Sequence, residues 1–208
     1  MSDEAPDLLA GLRNGAWLDQ QRFPPLSYAV PGVIPEGFTL LAAAPKIGKS
    51  WFSLGCGLAI ASGGRALGVI PVDKRPVFYL ALEDGDRRMQ ERCRALLLDG
   101  DPIPADLNYM TTGVQPSTVL LIIEEWMSRY QDTAPLVILD TLGKVMPPSL
   151  SGESAYGRDY RVGSGLKQLC DSRPSTSLLV NHHDRKADSA DFVDSVSGTN
   201  GLAAPPTR

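Results

Sequence analysis

From Gly37 onward the chain alternates short apolar runs with longer mixed segments, and that alternation constrains the fold more than any other feature. Apolar runs without polar alternation suit strands buried on both faces, as in parallel sheets covered by helices. Repeated strand and helix units then imply an α/β domain with a mostly parallel central sheet flanked by helices. Strands are expected at 38–43 (FTLLAA), 77–82 (VFYLAL), roughly 107–111, 136–140 (LVILD) and 177–181 (SLLVN). Helices are expected over about 49–62, 86–98, 117–130 and 156–171. The first 35 residues carry five prolines and read as a short helix followed by an extended arm that packs on the core. Residues 147–157 (PPSLSGESAYG) and the segment from Ser195 have loop composition.

Composition narrows the function classes. A length of 208 residues fits one core. With 21% charged residues and a net charge of -4, the chain is neither disordered by composition nor a basic nucleic-acid tail, so any polyanion contact must be local. The cysteines, at 56, 93 and 170, match neither a metal knuckle nor an even-numbered disulfide framework, and a reducing, cytoplasmic location is expected. The uncharged stretch 51–64 falls short of the ~20 apolar residues of a membrane span. The acidic start, MSDEAPDLL, is unlike a secretory signal, and no membrane partner is expected.

The strongest chemical signal is AAPKIGKS at 43–50, between the first strand and the first helix. A loop in that context curls so that its N–H groups point at phosphate oxygens, and the helix N-terminus adds partial positive charge. Gly48 permits close approach, Lys49 is expected to reach the β- and γ-phosphates, and Ser50 to ligate magnesium. Ala44, Pro45, Lys46, Ile47 and Trp51 complete the expected nucleotide-contacting set. Ala43 stands where the strict pattern has glycine, which is tolerable if its φ stays negative. The bland alternative is a chance GKS turn at a helix start.

Three further strand tips carry polar residues. Glu83, after VFYLAL, is placed to polarise a water for in-line attack on a γ-phosphate, while Asp84 is the better candidate to cap the next helix. Arg87, Arg88, Arg92 and Arg94 read as a solvated helix face interleaved with Asp86 and Glu91. Asp140, ending LVILD, fits the aspartate that partners magnesium, with an N-cap role as the alternative for it or for Thr141. His182 and His183 follow SLLVN; neighbours on a strand point to opposite faces and make a poor chelating pair. A polar group at this tip instead suits sensing of the γ-phosphate, against the alternative of a histidine satisfied in a turn.

Together APKIGKS at 44–50, YLALEDGDRR at 79–88, LVILDTLGK at 136–144, SGESAYGRDY at 151–160 and NHHDRKADSADFVDSVSGTNGL at 181–202 resemble a known group. The chain is similar, from about residue 26 to 202, to RecA-like P-loop NTPases of the RepA-type plasmid and phage helicase group, AAA-family ATPases related to DnaB-like replicative helicases. The resemblance implies ATP and magnesium as cofactors, a homo-oligomeric ring, commonly a hexamer, and single-stranded DNA in its channel. It carries Lys49 and Ser50 onto the phosphate and magnesium positions, Glu83 onto the catalytic glutamate, Asp140 onto the Walker B aspartate and His183 onto the sensor. Arg185 and Lys186 match the element that follows the sensor. The implied division is a lead-in arm over 1–35, the ATPase core over 36–202 and a tail over 203–208. Family members usually continue after SGTxGL with strands bearing an arginine finger; here the chain reads AAPPTR, and two prolines cannot continue a central strand, so a shortened core is expected.

For DNA, candidate contacts are Lys144, Tyr156, Arg158, Tyr160 and Arg161, with Arg185 and Lys186 beyond, although Asp184, Asp188, Asp191 and Asp194 would repel phosphate. The leading expectation is a DNA-coupled ATPase of the helicase or translocase type in plasmid, phage or mobile-element replication or recombination. The alternative is a nucleotide-gated oligomeric binding or regulatory protein with little hydrolysis. A small-molecule kinase would want an arginine-rich lid, which the proline-rich loop after Asp140 does not offer.

Overall fold

The computed structural model describes Asp7 and residues 9–183. Helix α1 (Gly15–Asp19) is capped by Asn14, whose side chain accepts from the Trp17 amide at 2.8 Å, and it buries no residue. Strands β1 (Tyr28–Val30) and β2 (Ile34–Pro35) then pair antiparallel. Ala29, Val30 and Ile34 are buried, so the expected arm meets the core through this hairpin.

The repeating units follow as β3 (Gly37–Ala43), α2 (Lys49–Ser62), the small antiparallel pair β4 (Arg65–Ala66) and β5 (Ile70–Pro71), β6 (Val77–Ala81), α3 (Asp86–Leu96) and β7 (Leu107–Met110). Next come α4 (Val119–Arg129), β8 (Leu136–Asp140), α5 (Ala155–Asp171) and β9 (Ser177–His183). The five strands β3-β9-β8-β6-β7 form one parallel sheet in that spatial order. Every sheet strand and major helix expected from the sequence is present. The expected loop over 147–157 ends sooner, because Ser154 accepts the Gly157 amide at 3.0 Å and starts α5 at Ala155. The final strand runs two residues further than expected, through His183.

Side-chain alternation explains why the strand sequences are apolar throughout. Val77, Tyr79, Leu136, Ile138 and Leu179 face α2 and α3, meeting Leu54, Leu58, Met89 and Cys93. Phe78, Leu80, Val137, Leu139, Leu178 and Val180 face α4 and α5, meeting Ile123, Met127, Leu166 and Cys170. Gly57 lets α2 lie close to the sheet, since a Cβ there would stand 3.1 Å from Ile138 Cδ1. The three cysteines are buried and unbridged, and burial pushes the Cys56 thiol up to about 11 and Cys170 to about 12. Among the described residues no helix is long and apolar enough to cross a membrane.

Ile138 sits in the middle of the sheet with no exposed surface. Ile138→Ala is expected to cost ~2–5 kcal/mol through lost burial and a partly unrelaxed cavity. Urea denaturation reads this as a lower midpoint at unchanged slope; a loss under ~1 kcal/mol would contradict the packing described.

Candidate functional site

Because the sheet is parallel, the C-terminal ends of its strands share one edge, which is where ligands sit in open α/β sheets. The register puts Ala43 beside His183 and Ala81 beside Asp140. The loop after β3, the Glu83 turn after β6, the Asp140 tip of β8 and the His183 tip of β9 therefore converge.

The loop 43–48 runs from β3 into α2. Ala43 is not among the positive-φ residues, as its substitution for glycine requires; the left-handed positions are Lys46, at φ 66°, and Gly48, at φ 105°. A Cβ on Gly48 would meet open space, so its requirement is conformational. Lys49 is buried, and its Nζ donates to the Ala43 and Ala44 carbonyls at 2.7 and 2.8 Å. Pro45, Lys46 and Ile47 are exposed on the loop, and Trp51 is 46% exposed in the first turn of α2.

Ser50 Oγ donates to Asp140 Oδ1 at 3.0 Å, joining residues 90 positions apart. Strand β9 lies between β3 and β8, so the intervening strand must present a compatible group there. It presents Asn181, whose Nδ2 donates to Asp140 Oδ1 at 3.0 Å and whose Oδ1 accepts from Ser53 Oγ at 2.9 Å. From β6, Tyr79 donates its hydroxyl proton to Asp140 Oδ2 at 2.6 Å. Thr141 sits at the N-cap position of a short 3₁₀ turn, but its hydroxyl donates to the Asn181 carbonyl at 2.8 Å and does not cap. Asp140 is 5% exposed, and a buried carboxylate is tolerable only with its lone pairs satisfied. Tyr79, Asn181 and Ser53 were not candidates from the sequence; the available signal was Tyr79 within the apolar run VFYLA and Asn181 at the end of SLLVN, with none for Ser53.

Glu83 and His183 come together, with Nε2 and Oε1 3.6 Å apart and both side chains partly exposed. Two expectations fail nearby. Asp84 does not cap α3, whose N-cap is Gly85; its carboxylate instead pairs with Arg88 at 3.0 Å and with Arg92. Arg92 is not part of a solvated face, being 6% exposed and lying over the Trp51 ring at 5.2 Å. The rest of that face behaves as expected, with Arg87 paired to Glu91 in solvent. Among the described residues no group of three or more His, Cys, Asp or Glu side chains that could hold a metal ion forms.

Of the candidate DNA contacts, Lys144 and Tyr160 are exposed, Arg161 pairs with Glu153 at 2.9 Å and Arg158 lies 3.7 Å from Asp159. The two Arg161 hydrogen bonds and the Leu150 amide lower the Glu153 carboxyl to about 2. The Tyr156 side chain and Asp184, Arg185, Lys186, Asp188, Asp191, Asp194 and the SGTNGL segment lie outside the described residues.

Burial first, then the Asp140 charge and hydrogen bond, raise the Tyr79 hydroxyl well above the ordinary 10.0, with Arg92 acting in the opposite direction. The folded chain thus holds this proton more tightly than the unfolded chain, so the associated stability is full below pH 10 and lost as pH rises above it. Tyr79→Phe is expected to cost about 1–3 kcal/mol at neutral pH, by leaving Asp140 short of a donor. It is also expected to flatten the alkaline loss; identical alkaline profiles in chemical denaturation would sink this assignment.

A family model described as an AAA domain matches residues 8–189. A search of curated proteins gave no match. Among solved structures, one described as an ATPase domain is similar at a TM-score of 0.58 and 14% identity, over 80% of this chain and 66% of that one. A DnaB-like replicative helicase, described with its interactions with primase, is similar at a TM-score of 0.54 and 15% identity, over 74% of this chain and 41% of that one. This chain therefore spans about two thirds of the first and under half of the second. What is shared at such identities is the fold, a RecA-like parallel sheet flanked by helices as expected from the sequence. With the family model spanning most of its length, the chain belongs to the AAA domain family.

Proposed function

We propose that the chain binds ATP with magnesium at the loop 43–50 and hydrolyses it, as the motor core of a helicase-like ATPase. The carrying observation is the Ser50 hydroxyl beside the Asp140 carboxylate, at 3.0 Å. A hydroxyl and a carboxylate oxygen set side by side suit a hard divalent cation that takes its remaining ligands from water and phosphate. Ser50 and Asp140 would hold magnesium, which when bound would supply positive charge against the phosphates. Lys49 carries the cation for the β- and γ-phosphates, and residues 44–48 with Trp51 line the nucleotide. Glu83 orients and polarises the attacking water. His183, in reach of Glu83, senses the γ-phosphate.

The similarity to helicase ATPase domains supports reading this motor as an oligomer acting on single-stranded DNA. Lys144 and Tyr160 are exposed candidates for backbone and base contacts, whereas Arg158 and Arg161 already face carboxylates. A lead-in arm over 1–35 and a core from residue 36 remain the proposed division. Replication or recombination of a plasmid, phage or mobile element is the proposed setting.

ATP hydrolysis with and without single-stranded DNA tests this reading. Glu83→Gln is expected to lower the rate by ~10²-fold or more, as removal of a general base does, and Lys49→Ala by ~10²-fold or more through lost charge stabilisation at the phosphates. Glu83→Gln should keep nucleotide binding and Lys49→Ala should weaken it. A wild-type rate no greater than that of Glu83→Gln, with nucleotide still bound, would replace the motor with a nucleotide-gated binding protein.

A further inference from the structure

Among the described residues two cations are deeply buried, Lys49 in the phosphate loop and Arg92 in α3. The Arg92 guanidinium pairs through Nη1 with Asp84, whose side chain is 4% exposed, and its Nε and Nη2 have no acceptor. A buried charge so sparsely bonded is costly unless its few contacts hold it firmly. Those contacts are the Asp84 carboxylate and the face of Trp51, the residue after Ser50.

Their placement bears on Glu83. On one side of it the Leu82 amide donates to the Asp140 carbonyl at 2.8 Å. On the other, the Asp84 amide donates to the Ala81 carbonyl at 3.1 Å, and its carboxylate is held by Arg92 and by Arg88. Glu83 is thus the one residue between two anchored neighbours, and its own side chain remains partly exposed toward His183.

We propose that Arg92 is a positioning residue: by clamping Asp84 against the head of α2, it keeps the Glu83 carboxylate at the tip of β6 beside His183. The proposal rests on the hydrolytic reading above. Arginine suits this position because one Nη bonds the Asp84 carboxylate while the delocalised guanidinium lies over the indole of Trp51. Positioning matters because a misplacement of about 1 Å in an active site can cost ~10²-fold in rate.

The test compares wild type, Glu83→Gln, Arg92→Gln, Asp84→Asn and the surface control Arg87→Gln, each checked for folding by thermal melting. Asp84→Asn reaches the same clamp from the carboxylate side and carries the test if Arg92→Gln does not fold. Arg92→Gln and Asp84→Asn are expected to lower kcat ~10- to 100-fold with KM for ATP changed less than about twofold, while Arg87→Gln stays at the wild-type rate. A second readout needs no turnover: the His183 ring proton in the NMR spectrum, one of two histidine signals in this sequence. Glu83→Gln should displace it by removing the adjacent carboxylate, and both clamp variants should displace it in the same direction. Folded clamp variants with wild-type kcat and an unmoved His183 signal overturn the proposal. So does a fall in kcat with the signal unmoved, which would make Arg92 a stabiliser of the fold alone. A wild-type chain without turnover sinks the hydrolytic reading, while the His183 signal still decides whether Arg92 holds Glu83.

Discussion

The site depends on keeping one carboxylate, that of Asp140, buried at the tip of the middle strand of a hydrophobic sheet. A group of that kind is tolerated only when donors reach it from fixed directions. Here they come from α2 through Ser50, from β6 through Tyr79 and from β9 through Asn181. Each donor sits on a different element, so the carboxylate fixes α2 and three adjacent strands in one arrangement. Ser53 extends the same network by bonding Asn181, which ties the second turn of α2 to the strand interposed between β3 and β8.

Strand order explains the division of labour. The helix carrying Ser50 follows the edge strand β3, yet must meet an aspartate two strands away. The gap is closed by α2 crossing the sheet face, where Gly57 permits close contact with Ile138, and by Asn181 filling the space between. A second polar cluster, Asp84 with Arg88 and Arg92, lies on the other side of the β6 tip. The Glu83 turn is therefore bounded by the aspartate network through Leu82 and by the arginine clamp through Asp84.

Much of this was legible in the chain. The apolar runs located the strands because both faces of the sheet are covered, which removes any polar alternation. The loop 43–48 between β3 and α2 was legible because its residue types answer to backbone conformation at a single turn; Gly48 at φ 105° is one such requirement. Glu83, Asp140 and His183 were legible as polar residues at the ends of apolar runs. The roles of Asp84 and Arg92 were not, because helical spacing in DRRMQERCR describes a solvent-facing stripe equally well. Packing against Trp51 and pairing with the buried Asp84 separate Arg92 from Arg87.

The sequence by itself determined the kind of fold and the strand tips on which chemistry could sit, since burial and turn geometry act over a few neighbouring residues. The tertiary structure decided which polar groups share a carboxylate. Tyr79, Asn181 and Ser53 acquire their partners from 41 to 128 residues away in the chain, through the sheet order. No local pattern encodes that order, because it arises from how whole strands and helices divide the buried surface between them.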